Sequence, residues 1–251
     1  MLTRHLVQST LVIAIVAIVT GCSSSDDGSS QGSAPLMGSE HGSSSATRTY
    51  DVTIENLTSG QPLSPGVVVT HTRAGSLFSV GTMASLGIRK IAEDGDNQQA
   101  LSDLSSADGV FDVRPIATPI HRIGGPGATA VTVRITARAD ANRLSLATML
   151  ICTNDGFTGV DGMKLPGGFK PSTFDVFAYD AGTEANDELS TRIVDPCFAI
   201  GPVAGAADGN LRTATRAPIA THPGVSGANG QLTTAHRWTG AIARVTVQRV
   251  E

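Results

Sequence analysis

Both ends of the stretch 47–251 alternate with a period of two. At the start, Tyr50, Val52 and Ile54 interleave with Asp51, Thr53 and Glu55; at the finish, Ala243, Val245 and Val247 interleave with Arg244, Thr246 and Gln248. That period belongs to a strand with one dry and one wet face. Strands at both termini imply a sheet that pins the two ends of one domain. Between them, Val67-Val68-Val69-Thr70-His71-Thr72 is apolar without alternation, as expected of a strand covered on both faces. Ser76–Val80 reads as a third, short extended piece, and Ala130–Thr136, Leu144–Ile151 and Phe174–Tyr179 as longer ones. Met83, Ala84, Leu86, Ile88 and Ile91 do not alternate, so a helix is predicted from Thr82 to Ala92, with Gly95 ending it. A second helix follows over Asn97–Ser105, where Leu101 and Leu104 share a face. About eight strands with a short helical insertion make this an all-β chain, an antiparallel β-sandwich.

Ahead of the domain, Arg4 and His5 precede the apolar run Leu11–Val19, which meets Thr20-Gly21-Cys22. A basic start, a short apolar core and small residues before a cleavage point describe an export signal over 1–21, too short to span a bilayer. Val19-Thr20-Gly21-Cys22 resembles the lipobox of bacterial lipoproteins, in which the cysteine is lipidated and becomes the mature N-terminus; the alternative is an ordinary secretory leader in which Cys22 is incidental. Position 23 is Ser rather than Asp, which by analogy with lipoprotein sorting directs the chain to the outer membrane. Of the 24 residues 23–46, ten are Ser and four are Gly, so this segment cannot offset its ordering entropy. With lipidated Cys22 it forms a flexible tether, about 25–30 Å in mean reach. Taking Arg4 away with the leader leaves 17 basic against 22 acidic residues, which excludes the basic stripe of a nucleic-acid binder.

Two acidic segments carry the clearest chemistry. The ten residues Thr153–Gly162, with Asp155 and Asp161, follow one apolar run, and the ten residues Tyr179–Glu188, with Asp180, Glu184, Asp187 and Glu188, follow another. Carboxylates and turn residues are thereby gathered where loops leave a sheet, which suits a hard cation such as calcium with its preference for several oxygen ligands. The plainer reading is turn-forming, solvated loop acids. Asp161, Asp187 and Glu188 lie nearby and are expected to be solvated. Asp94-Gly95-Asp96-Asn97 lacks the bidentate Glu of an EF-hand loop and reads as an inter-helix turn.

Cys152 and Cys197 are the other two cysteines. In an exported chain an isolated pair points to a disulfide, here closing a loop around the second acidic segment; two buried free thiols are the alternative. No Gly-x-Ser-x-Gly elbow, His-Glu-x-x-His or phosphate loop is present. A glycosidase using Asp155 and Asp180 would need an aromatic-lined cleft, and the chain has one Trp and two Tyr. The scattered histidines do not suit a zinc site. His236 and Trp238 are assigned to packing and hydrogen bonding at the start of the last strand.

Taken in order, Tyr50–Asn56, Ser64–His71, Leu77–Gly81, Asn154–Leu165, Phe177–Glu184 and His236-Arg237-Trp238 with Ala243–Val247 resemble the spondin domain, named for the N-terminal region of an extracellular matrix protein. The resemblance implies an antiparallel sandwich similar to calcium-dependent lipid-binding domains, with calcium held by acidic loops. Asp155 matches the Asp of the family's Ser-Pro-Asp-Trp stretch. Asp180 matches the first Asp of its Trp-Asp-Ala-Gly-Thr-Asp stretch, and Glu184 takes the place of the second. The expectation is a non-catalytic, calcium-binding, lipid-anchored envelope protein that binds matrix, polysaccharide or a surface protein, with partner contacts in loops 199–232. An exported carbohydrate-active or other hydrolytic enzyme is the alternative.

Overall fold

The computed structural model describes residues 46–205, 211–228 and 232–251; the leader, Cys22 and the tether up to residue 45 lie outside them. Among the described residues, ten strands form two antiparallel sheets. The first holds β1 (Arg48–Asn56), β4 (Ala130–Ala137), β7 (Ser172–Val176) and β10 (Ala243–Arg249) in the order β4-β1-β10-β7. The second holds β2 (Leu63–His71), β3 (Val110–Ile116), β5 (Arg143–Leu150), β6 (Gly156–Lys164), β8 (Ala178–Asp180) and β9 (Ala220–Thr221) in the order β3-β2-β5-β6-β8-β9.

The two terminal strands pair with each other, Val52 opposite Val247 and Ile54 opposite Val245, and this central pair pins both ends of the domain. Their inward residues meet Val68, Leu144, Leu146 and Leu150 of the second sheet in the sandwich core. The other faces of β2 and β5 are also covered. Val67, Val69, Ala147 and Met149 pack beneath α1 (Leu86–Asp94) and α2 (Gln98–Ser105), through Ile88, Ile91 and Leu104. The unbroken valine run of β2 therefore has a physical cause: it is sandwiched between a sheet and a helical layer.

The helical insertion starts later than its sequence suggests. Thr82 sits in a turn, its N–H and hydroxyl both donating to Ser79 O, at 3.1 and 2.8 Å. Ser85 is the N-cap, its Oγ accepting from Ile88 N at 3.2 Å. Gly95 closes α1 in the left-handed region (φ 65°), and its N–H donates to Ile91 O at 2.9 Å. Asp94–Asn97 is thus the inter-helix turn expected.

Other elements differ from the reading of the sequence. Ser76–Val80 forms no strand; Asp161 holds it instead, accepting from Ser76 Oγ at 2.8 Å and Leu77 N at 2.6 Å. Phe174–Tyr179 is not one strand but two, and the chain changes sheets at the exposed Phe177, leaving β10 for β6. The first acidic segment is shorter than a loop of ten residues, because β6 already begins at Gly156.

Candidate metal centre

Three strand ends and two tight turns build the site. After β5, Thr153 closes the turn into β6: its hydroxyl donates to Leu150 O at 2.7 Å and accepts from Gly156 N at 2.9 Å. Asp155 is thereby fixed one residue before β6. Gly156 pairs with Asp180 at the end of β8, which sets Asp155 and Asp180 at adjoining ends of neighbouring strands. Phe157, Tyr179 and Phe78 pack ring to ring behind them, with centroids 5.0–5.5 Å apart, and hold β6 against β8. Beyond β8, Asp180 Oδ1 accepts from Gly182 N at 2.7 Å, an Asx-turn. Gly182 adopts φ 72°, and a Cβ there would lie 2.2 Å from Ala217 O. Only glycine fits both demands.

The turn carries Thr183 and Glu184 back over Asp155. Asp155 is fully buried, and its Oδ2 accepts from Thr183 N at 2.6 Å, Glu184 N at 2.9 Å and Thr183 Oγ1 at 3.2 Å. Its Oδ1 is buried without a hydrogen-bond partner. Glu184 is also buried; Oε1 pairs with Arg212, and Oε2 has no partner. Asp180 differs from both, because its two oxygens are engaged by Gly182 N and by Asn186 Nδ2. Burial pushes the Asp155 carboxyl up to about 6, with the Asp180 charge adding to it against the Glu184 and Thr183 donors. Burial likewise pushes Glu184 up to about 7, aided by Glu93 and Asp155 and opposed by Arg212.

The three acids named from the sequence therefore share one electrostatic neighbourhood but do not converge at one point. Among the described residues, only Cys152, Cys197 and His236 bring three potential ligand atoms within 4.8 Å of one another. That cluster is not a thiolate site. Cys152 and Cys197 are joined by a disulfide, with Cα atoms 5.0 Å apart. His236 Nδ1 accepts from Thr233 N at 2.9 Å, so the neutral ring carries its hydrogen on Nε2 and its one lone pair is already engaged.

Three nearby acids expected to be solvated are bonded. Asp161 accepts from Ser76, Leu77 and Ser145; Asp187 accepts from Asn154 Nδ2 at 3.3 Å and pairs with Arg192. Glu188 takes a left-handed φ of 58° and accepts from Ser226 Oγ and Gly227 N, both at 2.9 Å. These carboxylates are structural ties between loops, a role that turn composition does not reveal. Arg212 was also not apparent in the sequence, since it lies in the Gly/Ala-rich stretch and only folding brings it to Glu184. His222 Nδ1 accepts from Gly224 N at 2.9 Å, its ring stacks edge-on against Trp238 at 5.2 Å, and burial holds its pKa below the usual histidine value.

The family model described as Spondin_N matches residues 56–191, from the last residue of β1 through the second acidic segment. The chain belongs to the spondin N-terminal domain family. No curated protein matches it significantly. The matched span contains Asp155, Asp180 and Glu184, while β10, which completes the first sheet of this spondin domain, lies beyond it.

The donor chemistry of these acids suits a hard cation such as calcium. Asp155 Oδ1 and Glu184 Oε2 are buried, unpartnered oxygens in adjoining turns, and leaving such atoms without a partner is costly.

Proposed function

We propose that this spondin domain binds calcium through Asp155, Asp180 and Glu184 and serves a non-catalytic, adhesive or partner-binding role at the cell envelope. In this reading Cys22 carries the lipid anchor. The observation that carries the reading is the pair of buried oxygens without partners, Asp155 Oδ1 and Glu184 Oε2. A bound divalent cation would supply the missing partner, neutralise the mutual repulsion of the acids and cross-link the 153–156 turn to the 180–184 turn. Asp180 would contribute its charge, and one of its oxygens on giving up a turn contact.

Against a hydrolytic reading stands the burial of Asp155, whose Oδ2 is held by two backbone N–H groups. A carboxylate so placed is badly set to reach a polysaccharide bond.

The test is a thermal melt of the purified protein in millimolar calcium and then in chelator. Calcium is expected to raise Tm, and Asp155→Asn to remove the rise; an unchanged Tm in the parent protein overturns the metal assignment. A glycan and ester screen is expected to show no turnover, and activity lost on Asp155→Asn would favour the enzyme.

A further inference from the structure

Arg212 has an unusual set of partners. Its guanidinium pairs with Glu184 and Asp94, lies 3.6 Å from Glu93 Oε2, and donates from both Nη atoms to Glu93 O at 3.2 Å. Glu93 and Glu184 are both almost fully buried. These carboxylates are not equivalent in what else they hold. Glu93 also pairs with Arg89 at 2.8 Å, and Asp94 with Lys90 at 3.1 Å, each across one turn of α1. Glu184 has Arg212 as its only cationic partner among the described residues.

We infer that Arg212 is an internal competitor for the cation, holding Glu184 when the ion is absent and setting how tightly the ion is bound. The inference rests on the calcium reading above. If Arg212 lets go of Glu184, it keeps Asp94, Glu93 and the Glu93 carbonyl, and those two acids keep their partners on α1. Glu184 alone is left without a counter-ion. A divalent cation supplies that charge, and its own field opposes the guanidinium at close range. The handover is local because the backbone around Arg212 stays pinned. Ala185 N donates to Thr213 O at 2.9 Å, Thr215 N donates to Thr183 O at 2.9 Å, and Glu184 is bridged to Ala214. A cation site whose ligand is already neutralised by a tethered arginine has its affinity lowered by the coupling between the two, and by linkage the cation weakens the arginine's hold to the same degree.

Calorimetric titration of the full chain with calcium chloride tests this. Arg212→Gln is expected to tighten calcium binding by about fivefold or more, the lower end of ordinary coupling between sites. In the unmutated protein, the guanidinium resonances of Arg212 are expected to shift with the same midpoint as the calorimetric curve. Should Arg212→Gln fail to fold, the resonance measurement alone decides. Calcium binding with equal or weaker affinity in Arg212→Gln, or with resonances of Arg212 that do not move, overturns the competitor role and leaves the calcium site standing. Absence of calcium binding in the parent protein overturns the site itself.

Discussion

At Asp155 and Glu184 the unfolded chain holds its protons less tightly than the folded one. Their carboxyls rise from 3.8 to about 6 and from 4.5 to about 7 on folding. Between about pH 4 and 7 the folded state therefore binds more protons, and by linkage these two groups make the protein less stable as pH rises through that window. In chelator, their contribution favours a higher Tm at pH 5 than at pH 7.5. At the proposed site calcium would compete with those protons, so its stabilising effect should be larger at pH 7.5 than at pH 5. Melts at both pH values with and without calcium check this, and Asp155→Asn should flatten its part of the slope. A different residue supports the fold alone. Ser145 Oγ donates to Asp161 Oδ1 at 2.9 Å, receives Gly162 N at 2.8 Å and meets His71 Nε2 at 2.7 Å, with Ser145 and His71 themselves buried. Ser145→Ala strands several of these partners and should cost about 1–3 kcal/mol in urea unfolding, with calcium affinity unchanged. The candidate acids Asp155, Asp180 and Glu184 stood out because Asp and Glu beside turn residues are the residue types that suit oxygen ligation, but the burial of Asp155 and Glu184 did not show in the sequence. The Ser145–Asp161–His71 network was not, because its members are 74 and 16 residues apart and only strand pairing brings them together.

Among the elements, those with a strong apolar period were legible and those with mixed duties were not. β1, β4 and β10 bury alternate residues, and β2 and β5 are buried on both faces as nearly unbroken runs, so both patterns survive in the sequence. β3 did not stand out, since Val110-Phe-Asp-Val-Arg-Pro-Ile is half-exposed and carries Pro115. It is an edge strand, where a missing N–H is tolerated. β6 was hidden by its three glycines and by Asp161, which looked like loop material. The switch of sheets at Phe177 leaves no periodic trace at all. Cys152 and Cys197 tie the end of the β5 hairpin to the short helix Pro196–Ile200, across 45 residues that include β6, β7, β8 and Glu184. Cross-linking that length restricts the unfolded chain, and removing the bridge as Cys152→Ala/Cys197→Ala should lower stability by about 2–4 kcal/mol. Denaturant unfolding of the double variant is the check. A loss well below that range would mean that the packing of Cys197 and Ile193, both fully buried, holds the segment without the bond.

For the molecule as a whole, we propose one arrangement: the sandwich with its acidic turns held at the cell envelope by a lipid on Cys22. Among the described residues no helix is long and apolar enough to cross a membrane. The lipid reading puts the attachment at Cys22, where the apolar run Leu11–Val19 ends and the Ser/Gly tract begins. One acyl chain gives only marginal membrane binding, whereas the several chains of a lipidated N-terminal cysteine give stable anchoring. Cys22→Ala removes the acceptor thiol while leaving the apolar leader intact. The expected outcome is a shift of the protein from the membrane pellet to the soluble fraction, with the calcium response of its melting curve unchanged. Retention of the variant in a washed membrane pellet would instead show attachment through an uncleaved leader or through the domain, and would remove the lipid from this account while leaving the sandwich and its acidic turns as described.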